Sequence, residues 1–318
     1  MTTRIIGTGS YLPKRVVTND DLAKIMDTSD EWIRTRTGIR ARHLVEEETT
    51  TFMCVEAAKR ALENAGMQAE DIELIIVGTI TADHVTPSAA CEIQAAIGAD
   101  KAVAFDVNAA CSGFLFALHT AHAYIQAGIY KNALLLGAET LSKIMDWDDR
   151  STCVLFGDGA GAAVVKADET GLLAFEQGSD GAKGHVLACE GRRNNNPYVS
   201  NDKAYDYVHM DGQEVYKFAV STVPASIMRV LEQAEPCEID YYVLHQANIR
   251  IIQSVAKRLK ADEAKFPISL DHCGNISAGS VPILLDEMNR KGMLKRGHKI
   301  VMSGFGAGLT WGTALLEW

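Results

Sequence analysis

Apolar residues along this chain occur in short, nearly unbroken runs separated by longer amphipathic stretches. Leu74–Val77, Val103–Val107, Ala133–Leu136, Tyr241–Leu244 and Ile300–Met302 are rich in Val, Ile and Leu, the pattern of strands covered on both faces. Helical periodicity predicts helices over Thr51–Ala65 and Ala219–Ala234. A third spans Cys111–Ala127 and is stopped by Gly128. Apolar residues surround this third helix on nearly every side, so it is expected to be buried and central. Strands alternating with helices define an α/β chain.

The pattern repeats at a period of roughly 165 residues. ELIIVGTITADHVTPSAACEIQAAIGA from Glu73 parallels DYYVLHQANIRIIQSVAKRLKA from Asp240, each a strand, a polar turn and a helix. AVAFDVNAACSGF parallels KFPISLDHCGNISAGSVP, where a second strand and a small-residue turn are expected. NALLLGAE parallels HKIVMSGF, and GDGAGAAVV parallels TWGTALLEW. Four correspondences in one order imply two copies of one βα unit, residues 1–170 and 171–318, with the boundary near Lys166–Gly171. Pseudo-symmetric packing of the copies brings their turns to one crevice, where open α/β sheets place ligands.

Composition narrows the chemistry. The 318 residues carry 41 acidic and 31 basic side chains, a formal charge of −10, which argues against nucleic acid as a partner. No apolar run reaches the roughly 20 residues of a membrane span, and the N-terminus lacks the apolar core of a signal peptide. Seven cysteines without a C-x-x-C pair fit a reduced, cytoplasmic protein better than a disulfide framework or structural zinc.

One of those cysteines, Cys111, sits between an apolar strand and the buried helix in the stretch NAACSG. A helix N-terminus stabilises a thiolate, and small neighbours admit a substrate. The plain alternative is a small core residue. His245 ends a strand beside Gln246 and Asn248, and Asn275 lies in a Gly/Ser-rich turn; alone, each reads as structural. The GDGAGA stretch from Gly157 loosely fits a dinucleotide loop, but a strand-like AVVKA follows it where a helix is required. Gly7 and Gly9 lack the third small position, and Gly304–Gly308 reads as a tight turn offering N–H groups to an oxyanion.

Taken together, DVNAACSGF, LHQANIRII, DHCGNISAGSVP and GFGAGLTWG, with TSDEWIRTRTGIRARH and DRSTCVLFGDGAGA, resemble the β-ketoacyl-[acyl-carrier-protein] synthase III family. The resemblance runs from Ile5 to Trp318 and implies the thiolase fold, a five-layer αβαβα arrangement of two similar halves, normally a homodimer. It implies a Cys–His–Asn set at Cys111, His245 and Asn275; the asparagine favours the initiating type, since elongating relatives carry a second histidine there. Backbone N–H groups of Cys111, Gly306 and Ala307 would form the oxyanion hole. Thr28, Trp32, Arg36, Arg150, Gly212 and Asn248 would bind coenzyme A, with the adenine between Trp32 and Arg150. Lys217, Arg250, Lys257 and Arg258 would dock an acyl carrier protein. Thr86, reaching in from a partner subunit, and Phe305 would shape the acyl pocket; where some relatives have phenylalanine, Thr86 leaves room for longer or branched primers. The implied reaction joins an acyl-CoA primer to malonyl-carrier protein by decarboxylative condensation and needs no metal or redox cofactor.

Three alternatives share these residues. A relative of the same fold building a specialised metabolite would use the same catalytic set. A cysteine hydrolase would release free acid, and a binding module would not need Cys111.

Overall fold

The computed structural model describes residues 1–201 and 207–318. Two sheets dominate it. The first has five strands in the spatial order Thr2–Tyr11, Asp158–Asp168, Asn132–Thr140, Leu74–Gly78 and Val103–Val107. The second has four, Tyr241–Leu244, Lys299–Gly306, Thr310–Glu317 and Leu172–Ser179. Each sheet mixes parallel pairs, such as Tyr241 against Ile300, with antiparallel ones, such as Val301 against Leu315. The chain leaves the first sheet at Asp168 and enters the second at Leu172.

The apolar runs become strands because helices cover both faces. Helices Gly113–Gln126 and Ser280–Arg290 lie between the sheets; Phe114, Leu115, Leu118, Leu284 and Leu285 pack there against Leu74, Ile76, Ile300 and Met302. Burying each large apolar side chain contributes about 1.5–3 kcal/mol relative to exposure. Helices Thr50–Ala65 and Ala89–Ile97 cover the outer face of the first sheet, and Gly212–Glu232 and Ile249–Leu259 that of the second. The layers run αβαβα, the thiolase arrangement.

The central helix departs from expectation in its first turn. Ala110–Ser112 form a 3₁₀ turn and the α-helix begins at Gly113, ending before Gly128 at φ +70°. The outer helix expected from Ala219 begins at Gly212, because the Asp211 carboxylate accepts from the N–H groups of Gln213 and Glu214 and caps a polar first turn. The strand expected in KFPISL is absent: residues 266–269 lie outside every strand, and Pro267 offers no N–H to a ladder. The second sheet therefore has one strand fewer than the first.

Conversely, the periodicity missed Thr2–Tyr11, whose run of Thr and Gly hides a buried strand. A side chain on Gly9 would approach the Ala57 carbonyl to 2.3 Å, so glycine there lets the Thr50–Ala65 helix lie directly on the strand.

Candidate active site

Cys111 occupies the 3₁₀ turn that feeds the buried central helix and is 9% exposed. The preceding Ala110 takes φ +44°, an uncommon value for a residue with a side chain, which aims the turn into the space between the halves. Gly306, the last residue of its strand, closes over the cysteine. A methyl group there would lie 2.7 Å from Cys111 N and 3.2 Å from its Sγ, so only glycine permits the approach. The two turns are tied together by Thr310, whose hydroxyl lies 2.7 Å from Ser112 Oγ and 3.1 Å and 3.0 Å from the carbonyl oxygens of Ala109 and Ala307.

His245 stands at the end of the Tyr241–Leu244 strand, where its N–H donates to Ser303 O at 2.7 Å. Its ring meets Phe305 edge-on at 5.4 Å, and Phe305 adjoins Gly306. The ring is 2% exposed and its Nδ1 has no hydrogen-bond partner among the described residues. Burial lowers its pKa to about 3, so the imidazole is neutral at working pH.

Asn275 is held by the other half of the chain. Its N–H donates to Leu155 O at 2.9 Å and its carbonyl accepts from Gly157 N–H at 3.0 Å. Its Oδ1 accepts from Ser277 N–H at 2.8 Å, which leaves the amide NH₂ as the group to donate outward. Gln246 links the two second-half segments: its Oε1 accepts from Ser269 and Leu270 N–H, on the approach to Asn275. Gln246 is buried, so it clamps the site rather than lining it.

Two further residues carry weight that periodicity gave no reason to assign. Ser277, at φ +45°, places its hydroxyl beside Cys111 and Glu139 without a well-formed hydrogen bond to either. Glu139 is fully buried at the end of the apolar run NALLLGAE, and a carboxylate closing such a run was the available signal. It accepts from the hydroxyls of Thr79 and Thr81 and the N–H of Ile80, and burial raises its pKa to about 7. Burial also pushes the Cys111 thiol up to about 12, with the Ser277 hydroxyl lowering it and Glu139 raising it. Desolvation thus opposes the helix N-terminus, which points a partial positive charge at the same sulfur. Burial therefore favours the protonated thiol.

Most of the residues expected around coenzyme A converge on the Asp30–Thr37 helix. The Arg36 and Arg150 guanidinium carbons lie 4.7 Å and 5.2 Å from the centre of the Trp32 ring. Asn248 donates to Arg36 O and caps the Ile249–Leu259 helix, while Arg150 donates to Asp27 beside Thr28. Trp32 and Arg150 already touch, so they must separate to admit a purine between them. Gly212 stands apart, at the start of the Gly212–Glu232 helix. Of the expected docking cations, Lys257 and Arg258 are exposed in the last turn of the Ile249–Leu259 helix. Arg250 donates to Thr35 O, and Lys217 pairs with Glu214 at 2.7 Å on the neighbouring helix. Thr86 lies on an exposed turn next to Val85, which is 98% exposed, and Phe305 is buried against His245 and Phe218.

A buried cysteine at a helix start under a glycine backbone, with a neutral histidine and an oriented asparagine supplied by the other half, fits a thiolase-fold enzyme of the condensing acyltransferase class. Comparison with known proteins gives the family. Residues 105–181 match the family model for 3-oxoacyl-[acyl-carrier-protein (ACP)] synthase III, and residues 231–318 match its C-terminal counterpart. The β-ketoacyl-[acyl-carrier-protein] synthase III of Clostridium acetobutylicum is 51% identical over 99% of this chain and 98% of its own. The crystal structure of the Aquifex aeolicus synthase III superposes with a TM-score of 0.92 at 45% identity, covering 99% and 100% of the two chains. The priming β-ketosynthase of the R1128 polyketide biosynthetic pathway gives a TM-score of 0.92 at 36% identity, covering 99% and 96%. The chain belongs to the β-ketoacyl-[acyl-carrier-protein] synthase III family. Among the described residues, no helix is long and apolar enough to cross a membrane.

Proposed function

We propose that this enzyme condenses an acyl-CoA primer with malonyl-acyl carrier protein to give 3-ketoacyl-carrier protein, the opening step of type II fatty acid synthesis. The observation that carries the reading is Gly306 closing over Cys111, with the His245 ring against the adjacent Phe305 and the Asn275 amide oriented by Ser277, whose hydroxyl lies beside Cys111. Cys111 attacks the acyl-CoA carbonyl. The thiol proton leaves with the departing coenzyme A thiolate, and the acyl group stays on sulfur as a thioester. N–H groups of Cys111 and the Gly306–Ala307 turn stabilise the oxyanion. Malonyl-carrier protein then loses carbon dioxide. A ring N–H of neutral His245 and the Asn275 NH₂ donate to the thioester oxygen as the enolate forms. The enolate carbon attacks acyl-Cys111, and the cysteine sulfur departs and regains a proton. No step calls for a metal or redox cofactor.

The same reading has coenzyme A entering past Trp32, Arg36 and Arg150, with carrier protein docking at Arg250, Lys257 and Arg258. It takes the halves as units of residues 1–170 and 171–318 in a cytoplasmic homodimer. The exposed Thr86 turn and the open edge of the Val103–Val107 strand support a second copy on that side, with Thr86 capping its partner's acyl pocket. Incubation with radiolabelled acetyl-, isobutyryl- or octanoyl-CoA, followed by peptide mapping, tests the central step. Label is expected on Cys111 and is discharged by malonyl-carrier protein into a 3-keto product. No label with any primer, or label released as free acid, overturns the reading. Strict acetyl preference overturns the wider pocket.

A second reading is supported by the R1128 priming β-ketosynthase, which matches the fold at the same TM-score of 0.92 as the Aquifex aeolicus synthase III, at 36% against 45% identity. Primer and carrier-protein preference separates a specialised-metabolite role from the housekeeping one.

A further inference from the structure

Flanking Asn275 in sequence, and outside the acyl-transfer chemistry, His272, Cys273 and Glu287 bring an imidazole nitrogen, a thiol and a carboxylate oxygen within 4.8 Å of one another. His272 and Cys273 end the short helix Leu270–Cys273; Glu287 faces them from the central helix Ser280–Arg290. We propose that His272 Nε2, Cys273 Sγ and Glu287 Oε1 form a three-ligand site for a zinc-like divalent cation, with water as the fourth ligand.

Donor type and placement support this. A mixed nitrogen, sulfur and oxygen set suits zinc, which takes three protein ligands plus water in tetrahedral geometry. His272 Nε2 is 2.8 Å and Cys273 Sγ 3.9 Å from Glu287 Oε1. Tetrahedral zinc with bonds of about 2.0–2.3 Å separates its nitrogen and oxygen ligands by about 3.3 Å, so the imidazole and carboxylate need to part by about half an ångström while the thiol draws in. Binding replaces the Nε2 and Sγ protons, which pass to solvent.

Each outer contact matches what a metal site uses to orient its ligands. Asp271 Oδ1 meets His272 Nδ1 at 2.9 Å, which fixes the ring and leaves Nε2 as the metal-facing nitrogen. Lys291 Nζ holds Glu287 Oε2 at 3.2 Å, leaving Oε1 for the ion. Cys273 is 2% exposed, whereas the His272 side chain is 43% exposed, so the thiolate is sheltered and the ion enters past the imidazole. The bland alternative is a histidine ion-paired with two carboxylates and nothing more. It accounts for Asp271 and Glu287 but gives no role to a thiol at the same point.

Equilibrium dialysis of the full-length reduced protein against zinc, and optical titration with Co²⁺, decide between the two. The wild type is expected to bind one equivalent more than Cys273→Ser and to show a thiolate-to-cobalt band that this variant lacks. Asp271→Asn weakens binding by about 10–100-fold. His272→Asn, at a half-exposed side chain, removes the same equivalent and reads the site if Cys273→Ser folds poorly. Cys111→Ser is expected to keep the equivalent, which separates this site from the nucleophile. Equal stoichiometry and affinity in wild type and His272→Asn overturns the proposal and leaves the ion-paired histidine.

Discussion

The Cys111 turn and the Asn275 turn are two copies of one backbone given different chemistry. Ala110 and Ser277 have φ of +44° and +45°; each opens a 3₁₀ turn that runs into a buried central helix. By that register Cys111 corresponds to Ala278, and Asn108 to Asn275. On the adjoining strands Gly78 corresponds to His245, and Glu139 to Gly306. A side chain at Gly78 would meet the Gly113 backbone at 2.6 Å, so the first half packs its helix where the second presents an imidazole. Duplication supplied a symmetric frame. The proposed mechanism needs a nucleophile on one side and donors on the other, and the residue differences offer both.

The strongest way to break the comparison is to move the nucleophile. Cys111→Ala should lower acyl transfer from labelled acyl-CoA by about 10⁴-fold or more. Cys111→Ala with Ala278→Cys should stay inactive, because Gly306 and His245 serve only the first turn. Recovery in that double variant would show the turns to be interchangeable. His245→Ala and Asn275→Ala should lower condensation by about 10²–10³-fold while Cys111 still acylates, measured as separate half-reactions. Equal loss in both half-reactions would place these groups in acylation instead.

Gly306→Ala should reduce turnover by about 10²-fold through the 2.7 Å clash with Cys111 N, read as kcat at saturating primer. Trp32→Ala should raise KM for acyl-CoA by about tenfold with little change in kcat. Glu139→Gln sharpens the contrast with Gly306, its counterpart in the second half. Burial raises the Glu139 pKa from an unfolded value near 4.5 to about 7, so the folded protein binds the extra proton between those pH values. That contribution to stability is present below about pH 4.5 and is lost as pH rises through about 7. The variant should flatten the fall in Tm across this window; an unchanged pH profile would mean Glu139 is not the titrating group.

Part of this was legible without coordinates, for a physical reason in each case. Buried parallel strands are apolar throughout, so Leu74–Gly78 and Tyr241–Leu244 stood out. The buried central helix announced itself by having no polar face. Thr2–Tyr11 did not, because its glycines serve packing against a helix that no local pattern reveals. Pro267 spoiled a strand that the repeat alone implied. Gln246, which the sequence marked only as a polar neighbour of His245, is a buried clamp, because polarity at a strand end marks both ligands and clamps and burial tells them apart.

From its residues alone, the chain determined the alternation of strand and helix, the duplication and the identity of its chemical groups, since these depend on local pattern and residue type. The tertiary structure decided which groups meet. Cys111 and Asn275 are 164 positions apart (275 − 111), and their convergence depends on how two sheets pack across a shared helical layer. The same packing sets the electrostatics: an imidazole held neutral and a thiol held protonated follow from desolvation, which no linear pattern encodes.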